Sequence, residues 1–231
     1  MFTHVRGSLW ANPGLAIFSK YEVSNIVSEP FSHQLFYDYW LVNRGVLSAT
    51  ISPPGFPAVR VHSVHFGPPL GVLTFFAFLP RAIVRYVDKF NQQVDELVAR
   101  VGSDTGDLPA ILAGDFNCTP DSPDYAYLKS KLLTVGVENA GPDFERADAK
   151  PTGNPPGEFM LTGGLRTPKV LDYLFASKDL AKLGQVYVGE QGVKEGRGFE
   201  MISDHNPVEA VFRTVKEKEF SSDDERVYGL E

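Results

Sequence analysis

The chain has 231 residues, of which 43% are hydrophobic and 22% are charged, values close to the averages for globular proteins. This composition excludes disordered, collagen-like and coiled-coil proteins, and the length fits one ordinary domain. The formal net charge of −7 excludes a global basic field that would hold a polyanion. Because Cys118 is the one cysteine, the sequence also excludes an intrachain disulfide and a cysteine-rich zinc site.

Short apolar runs, each closed by Gly, Pro, Asn or Asp, predict the strands of an α/β protein. The predicted strands lie at 14–18, 45–51, 59–65, 109–113, 170–176, 185–189 and 207–213. Apolar residues spaced by three and four positions from 83 to 101 predict an amphipathic helix that ends at Gly102. Asp121-Ser122-Pro123 predicts the start of a second helix, which ends near 135–136.

Two stretches are predicted to lie outside the packed core. Residues 141–169 are rich in glycine and proline, and a loop of this length is usually functional or disordered. Residues 215–231 are predicted to form a mobile acidic tail, so the domain is expected to span 1–214. No run reaches the roughly 18 apolar residues that cross a bilayer, and residues 1–15 do not resemble a secretory signal. We therefore expect a soluble protein, or one that is peripheral at a membrane.

One apolar strand runs directly into Gly114-Asp115-Phe116-Asn117. Alternation in an extended chain sends Asp115 and Asn117 to the same side and Phe116 to the other. A carboxylate in this position can orient or deprotonate a water or bind a hard cation, and an amide can donate to a developing oxyanion. The alternative interpretation is an ordinary strand end with an Asx turn.

Two further polar positions can contribute to the same chemistry. A turn places Asp204 beside His205, so one side chain can face a metal or a water and the other a phosphoryl oxygen; a capped surface turn is the alternative. Asp172 lies inside an apolar strand, where an unpaired carboxylate would be costly, so it needs a cationic or N–H partner. His205 is the economical partner, because a carboxylate that fixes an imidazole is the usual arrangement for a catalytic histidine. Arg197 or Arg213 is the alternative partner.

In the order Gly-Asp-Phe-Asn, Leu-Asp-Tyr-Leu-Phe and Ser-Asp-His-Asn-Pro, these motifs resemble those of the endonuclease/exonuclease/phosphatase superfamily over about residues 12–214. The resemblance implies a two-sheet α/β sandwich of the DNase-like type, with a metal-dependent phosphoester hydrolase site at one end of the sheets. The implied cofactor is Mg²⁺ or another hard divalent cation. The catalytic residues implied by the resemblance are His65, Asp115, Asn117, Asp172 and His205. The implied metal ligands are Asp204, Asp115 and Asn117.

The sequence departs from this family pattern at its start. In the family a metal-ligating Glu lies upstream of the segment that Gly14 to Tyr21 resembles, so the chain is expected to lack the N-terminal strands and that ligand. Glu22 and Glu29 follow the segment and do not match the Glu. An inactive partial domain that binds phosphorylated ligands without turnover is therefore the alternative from a different functional class.

Two segments favour a particular substrate class. Residues 36–46, with Asn43-Arg44-Gly45, resemble a segment of neutral, bacterial-type sphingomyelinases, although an ordinary turn is the alternative. Residues 70–79 carry three phenylalanines and are predicted either to dip into a bilayer interface or to lie in the core. We expect a monomeric, sphingomyelinase-like phospholipid phosphodiesterase at a membrane surface. A nuclease and an inositol-phosphate phosphatase are the alternatives. The acidic net charge gives a nuclease no electrostatic help in binding DNA.

Overall fold

The computed structural model describes residues 2–5, 14–34, 44–67, 80–104, 108–140, 149–153, 168–189 and 205–214. Within these residues the chain forms ten strands and two helices. The strands are β1 (Phe2–Val5), β2 (Ala16–Ser19), β3 (Glu22–Pro30), β4 (Gly45–Ser52), β5 (Val59–His65), β6 (Ala110–Asp115), β7 (Val137–Asn139), β8 (Asp172–Ser177), β9 (Leu180–Val188) and β10 (Val208–Thr214). The helices are α1 (Pro80–Asp104) and α2 (Pro123–Leu133).

A six-stranded sheet with the order β3-β4-β5-β6-β8-β7 organises the fold. Its neighbours are antiparallel except for β5 and β6, which are parallel. Parallel neighbours need a crossover connection, and α1 lies between these two strands in the chain. Two smaller sheets, β1-β2 and β9-β10, complete the described strands. The mixed α/β fold, with a large central sheet and few helices, confirms the predicted fold class.

Hydrophobic residues pack on both faces of the central sheet. On one face, α1 contributes Phe90, Val94, Leu97 and Val101, whose spacing of four, three and four residues gives one buried stripe. On the other face, Leu15 and Ile17 around β2 pack against alternate β4 residues, Leu47 and Ala49. The sheet is therefore covered on both sides, as expected for the middle layer of an α/β protein.

The predicted elements agree with the structure where the apolar pattern is strong. All seven predicted strands have an observed counterpart, and the two predicted helices are α1 and α2, although α1 continues past the predicted end at Gly102 to Asp104. The prediction was wrong for three short or polar strands, β1, β3 and β7, which it left out. β3 is an edge strand with a bulge at Asn25, which has a φ of 47°, and its alternation is interrupted there. Edge strands carry bulges and charges that weaken the period-two pattern.

Several predicted segments lie outside the described residues. These are the acidic tail at 215–231, the apolar segment at 70–79, most of 36–46, and most of the loop at 141–169. Within that loop, Gly153 forms isolated bridges with Lys169 and His205. Residues 2–5, upstream of Gly14, pair as β1 with β2. Among the described residues, no helix is both long and apolar enough to cross a membrane.

Gly114 is required by a close approach between neighbouring strands. Its φ is +150°, and a Cβ built on it would lie 2.0 Å from the carbonyl oxygen of Val64 on β5. Only glycine avoids both the steric clash and the unusual backbone conformation. The glycine that opens the Gly-Asp-Phe-Asn motif therefore fixes how closely β6 approaches β5, just before the first polar side chain of the site.

Candidate active site

Three strands of the central sheet bring polar residues to one place. β5 and β6 run in parallel with His65 paired to Asp115, and β6 and β8 run antiparallel with Asp115 paired to Asp172. Residues paired across neighbouring strands lie about 5 Å apart. Positions separated by up to 107 residues in the chain, from 65 to 172, thus form one row across the sheet.

Asp115 and Asn117 form a compact hydrogen-bonded turn at the end of β6. The backbone N–H of Asn117 donates to Oδ1 of Asp115 at 2.8 Å, and Nδ2 of Asn117 donates to Oδ2 of Asp115 at 2.9 Å. Nδ2 also donates to the carbonyl of Phe66 at 2.9 Å. The prediction that both side chains share one side is confirmed, but its reason was wrong. Asn117 has a φ of 51°, so a left-handed turn, rather than extended alternation, brings the side chains together.

Asp172 and His205 form the predicted pair. Nδ1 of the imidazole lies 2.7 Å from Oδ2 of Asp172, and Nε2 lies 3.8 Å from Oδ2 of Asp115. The structure therefore shows His205 as a partner of Asp172; of the two arginine alternatives, Arg213 is exposed and Arg197 lies outside the described residues. With its Nδ1–H directed to a carboxylate, the imidazole presents Nε2 to the Asp115 side of the site.

Arg44 lies in the same group of side chains as His65 and Asp115, although the sequence motifs did not identify it as a site residue. It is 9% exposed, and its Nη1 donates to the Phe66 carbonyl at 2.6 Å and to Nε2 of His65. Because a guanidinium has only donors, Nε2 of His65 is the acceptor in this contact. Nε2 of His65 also lies 3.5 Å from Oδ2 of Asp115. The available signal was the Asn43-Arg44-Gly45 segment, which placed a cation immediately before a buried strand.

The Asp115 carboxyl is electrostatically unusual. Burial, and then the neighbouring charge of Asp172, raise its pKa from 3.8 to about 7, although His205, the Asn117 backbone N–H and Arg44 act in the opposite direction. A carboxyl with a pKa near neutrality can exchange a proton at physiological pH. Such a group marks a candidate functional site because an ordinary structural aspartate would be fully ionised at pH 7.

The donor set at the site is suited to a hard cation. Asp115 and Asn117 offer carboxylate and amide oxygens, which are ligands of the kind that Mg²⁺ takes. Burial, and then the neighbouring charge of Asp172, raise the pKa of Asp115, and a bound cation would favour its ionised form. The predicted ligand Asp204 lies outside the described residues. Within the described part of the chain, no three His, Cys, Asp or Glu side chains are grouped closely enough to hold a metal by themselves.

Comparisons with known proteins found a family model and a curated relative that match this chain. The family model described as the endonuclease/exonuclease/phosphatase family matches residues 10–205. Among curated proteins, Nocturnin from Drosophila melanogaster is 30% identical over 134 residues. The aligned part is 50% of this chain and 21% of that protein, so this chain spans about a fifth of the relative's length.

Solved structures show the same fold. A beta toxin variant from Staphylococcus aureus, with bound magnesium ions, is 20% identical with a TM-score of 0.62, and the match covers 88% of this chain and 70% of that one. Sphingomyelinase C from Streptomyces griseocarneus is 16% identical with a TM-score of 0.55, covering 85% of this chain and 67% of that one. At these identities the likeness concerns the fold.

Proposed function

This chain belongs to the endonuclease/exonuclease/phosphatase family, and we propose that it is a hydrolase of phosphodiester bonds that uses a divalent cation. Members of the family are hydrolases that act on phosphodiester bonds. The observation that carries the proposal for this chain is the convergence of Asp115, Asn117, Asp172 and His205. The Asp115 carboxylate accepts from Asn117 at 2.9 Å and lies 3.8 Å from an imidazole that is held by Asp172 at 2.7 Å.

His205 and Asp172 act as a proton-transfer pair in this proposal. Asp172 fixes the tautomer with the proton on Nδ1, so Nε2 is the nitrogen that faces the reacting atoms. Nε2 can take a proton from the attacking water or, when protonated, can donate to a phosphoryl oxygen. Asp115 is the second group able to orient or deprotonate that water, because its carboxylate lies 3.8 Å from Nε2 of His205.

Arg44, Asn117 and His65 surround the position where negative charge develops. The guanidinium of Arg44 is a fixed positive charge with several N–H donors, whereas the amide of Asn117 already donates to Asp115 and Phe66 and so positions the carboxylate. Nε2 of His65 accepts from Arg44 in this structure. We therefore propose that Arg44 donates a hydrogen bond to a non-bridging phosphate oxygen and that His65 orients the guanidinium. Preorganised donors of this kind stabilise charge that appears in the transition state.

Asp115, Asn117 and Asp204 are the residues that would hold the divalent cation. When bound, the cation polarises the phosphoryl oxygen and offsets the negative charge around phosphorus. Its presence would also favour the ionised form of Asp115, which burial and Asp172 now disfavour.

For the substrate, we propose a phospholipid headgroup of the sphingomyelin type. Both segments that favour a lipid are close to the site in the chain: 36–46 contains Arg44, and 70–79 begins three residues after Gly67, whose neighbour Phe66 accepts from Arg44 and Asn117. The fold likeness to sphingomyelinase C and the net charge of −7 support the same choice. A nuclease is the second candidate, because endonucleases and exonucleases are part of the family's description.

The test compares three substrates with the same enzyme preparation. We expect the 231-residue chain, with Mg²⁺, to release phosphocholine from sphingomyelin vesicles faster than it nicks plasmid DNA or removes phosphate from inositol polyphosphates. Asp115→Ala and His205→Ala are expected to remove the activity, and chelation of the cation is expected to do the same. Activity on DNA alone would contradict the lipid assignment. A folded chain inactive on all three would favour a domain that binds phosphorylated ligands without turnover.

A further inference from the structure

Thr152 is hydrogen-bonded to the backbone of Asp172 and to that of Asn206, the neighbour of His205, and so contacts the chain at both partners of the proposed proton-transfer pair. Its side chain is fully buried. Its Oγ1 accepts two successive backbone N–H groups, those of Leu171 and Asp172, each at 2.9 Å. One hydroxyl oxygen therefore holds the backbone at the start of β8, where the carboxylate of the pair is attached.

The main chain of the same residue holds the other partner. The carbonyl of Thr152 accepts the backbone N–H of Asn206 at 2.6 Å, and Nδ2 of Asn206 donates to the carbonyl of Pro151 at 3.0 Å. Asn206 directly follows His205, which also forms a bridge with Gly153. Residues 151–153 thus fix the backbone beside the imidazole over a separation of about fifty positions in the chain.

Close packing makes this arrangement sensitive to small changes. A Cβ on Gly153 would lie 3.1 Å from Cε1 and 3.3 Å from Nδ1 of His205, and 2.9 Å from Cδ1 of Leu171. The carbonyl of Leu171 accepts the backbone N–H of Phe116 at 2.9 Å. Through Leu171 and Phe116, the hydrogen bonds of Thr152 therefore also connect to the turn that contains Asp115 and Asn117.

From these contacts we propose that Thr152 is a positioning residue that sets the hydrogen bond between His205 Nδ1 and Asp172 by holding the backbone of both partners. The catalytic part of this inference rests on the proposed hydrolase function, whereas the structural part does not. Loss of the hydroxyl leaves two backbone N–H groups, one buried and one partly buried, without their acceptor, and buried donors are rarely left unpaired. The start of β8 then shifts to satisfy them, and the Asp172 carboxylate moves relative to the imidazole.

The test uses matched variants. Thr152→Val keeps the shape and removes the acceptor, Thr152→Ser keeps the hydroxyl, and Gly153→Ala perturbs the imidazole side by a different route. Thr50→Val is the control, because Thr50 is also buried and its Oγ1 accepts from Arg60, on the central sheet away from the site. Comparison with this control separates a local effect on the pair from the general cost of losing a buried hydroxyl.

The first readout needs no substrate. In histidine-labelled protein, we expect a slowly exchanging Nδ1–H proton signal from His205, present in wild type, Thr152→Ser and Thr50→Val, and lost or broadened in Thr152→Val and Gly153→Ala. An unchanged signal in Thr152→Val would overturn the inference. Equal loss in Thr152→Ser would also overturn it, because side-chain packing rather than the hydroxyl would then be responsible. Absence of the signal from wild type would contradict the hydrogen bond itself.

The second readout is kinetic, with bis(para-nitrophenyl) phosphate and Mg²⁺. Loss of the partners that orient metal ligands typically lowers activity by about 10-fold to 100-fold, and we expect a fall of similar size in kcat for Thr152→Val, with little change in KM. Thr152→Ser is expected to recover most of kcat. If wild type shows the imidazole signal but no turnover, the hydrolase proposal fails and the positioning role remains. If wild type turns over and Thr152→Val has the same kcat, the positioning role fails.

Discussion

The raised pKa of Asp115 predicts that this residue makes the protein less stable as the pH rises. Its pKa is about 7 in the folded chain, against an ordinary value of 3.8. Between these pH values the carboxyl loses its proton in the unfolded chain but keeps it in the folded chain. The free energy of unfolding therefore falls progressively as the pH rises. At about 1.4 kcal/mol per unit of pKa, the loss of stability amounts to about 4 kcal/mol and is complete above about pH 7.

Urea unfolding of wild type and Asp115→Asn at a series of pH values, with a metal chelator present, measures this effect. Because the asparagine cannot ionise, the free energy of unfolding of wild type minus that of the variant should fall by about 4 kcal/mol from about pH 4 to about pH 8. Asp179→Asn, in an exposed turn, makes the same chemical change away from the site and supplies the reference curve. A difference that does not vary with pH would refute the reasoning.

Asp172→Asn should lower the pKa of Asp115, measured by carbon-detected NMR titration, because it removes a like charge.

Three further variants test the site and the fold around it. His205→Ala should reduce kcat by at least about 100-fold, the usual contribution of a general acid or base, with its unfolding midpoint close to wild type; a wild-type rate would remove the residue from the mechanism. Arg44→Leu should raise KM and cost about 1–3 kcal/mol in urea unfolding, because two acceptors lose their buried donor; unchanged KM would show that the guanidinium does not contact substrate. Gly114→Ala should cost about 3 kcal/mol or more, because its Cβ would lie 2.0 Å from the Val64 carbonyl. Gly102→Ala, whose Cβ meets only a side-chain methyl at 3.2 Å, is the matched control, and an equal loss in both variants would contradict the steric explanation.

The sequence predicted those parts of the site that depend on short motifs and burial. An aspartate within an apolar strand required a partner, and His205 was the economical choice because a carboxylate that fixes an imidazole is the usual arrangement for a catalytic histidine. The structure shows this contact at 2.7 Å. The Gly-Asp-Phe-Asn motif likewise placed Asp115 and Asn117 at a strand end. The first feature follows from the cost of an unpaired charge and the second from polar residues that directly follow an apolar strand, both of which can be read from the sequence.

Other features depend on strand pairing, which local patterns do not encode. Arg44 and His65 contact each other because β4 and β5 pair with Gly45 opposite His65. This register cannot be predicted from the local sequence of either strand. Asn117 adopts a left-handed conformation because its side chain bonds both Asp115 and the Phe66 carbonyl. The sequence pattern did not predict β3, because an edge strand does not need a continuous apolar face.

The central claim is that Asp115, Asn117, Asp172 and His205 together direct water to the phosphorus of a phosphodiester. The most direct test is hydrolysis of bis(para-nitrophenyl) phosphate by the 231-residue chain with Mg²⁺ in isotopically labelled water, beside His205→Ala. We expect turnover by wild type with the oxygen label in the phosphate monoester, and little turnover by the variant. A folded wild-type chain with no turnover, or equal turnover by His205→Ala, would contradict the claim.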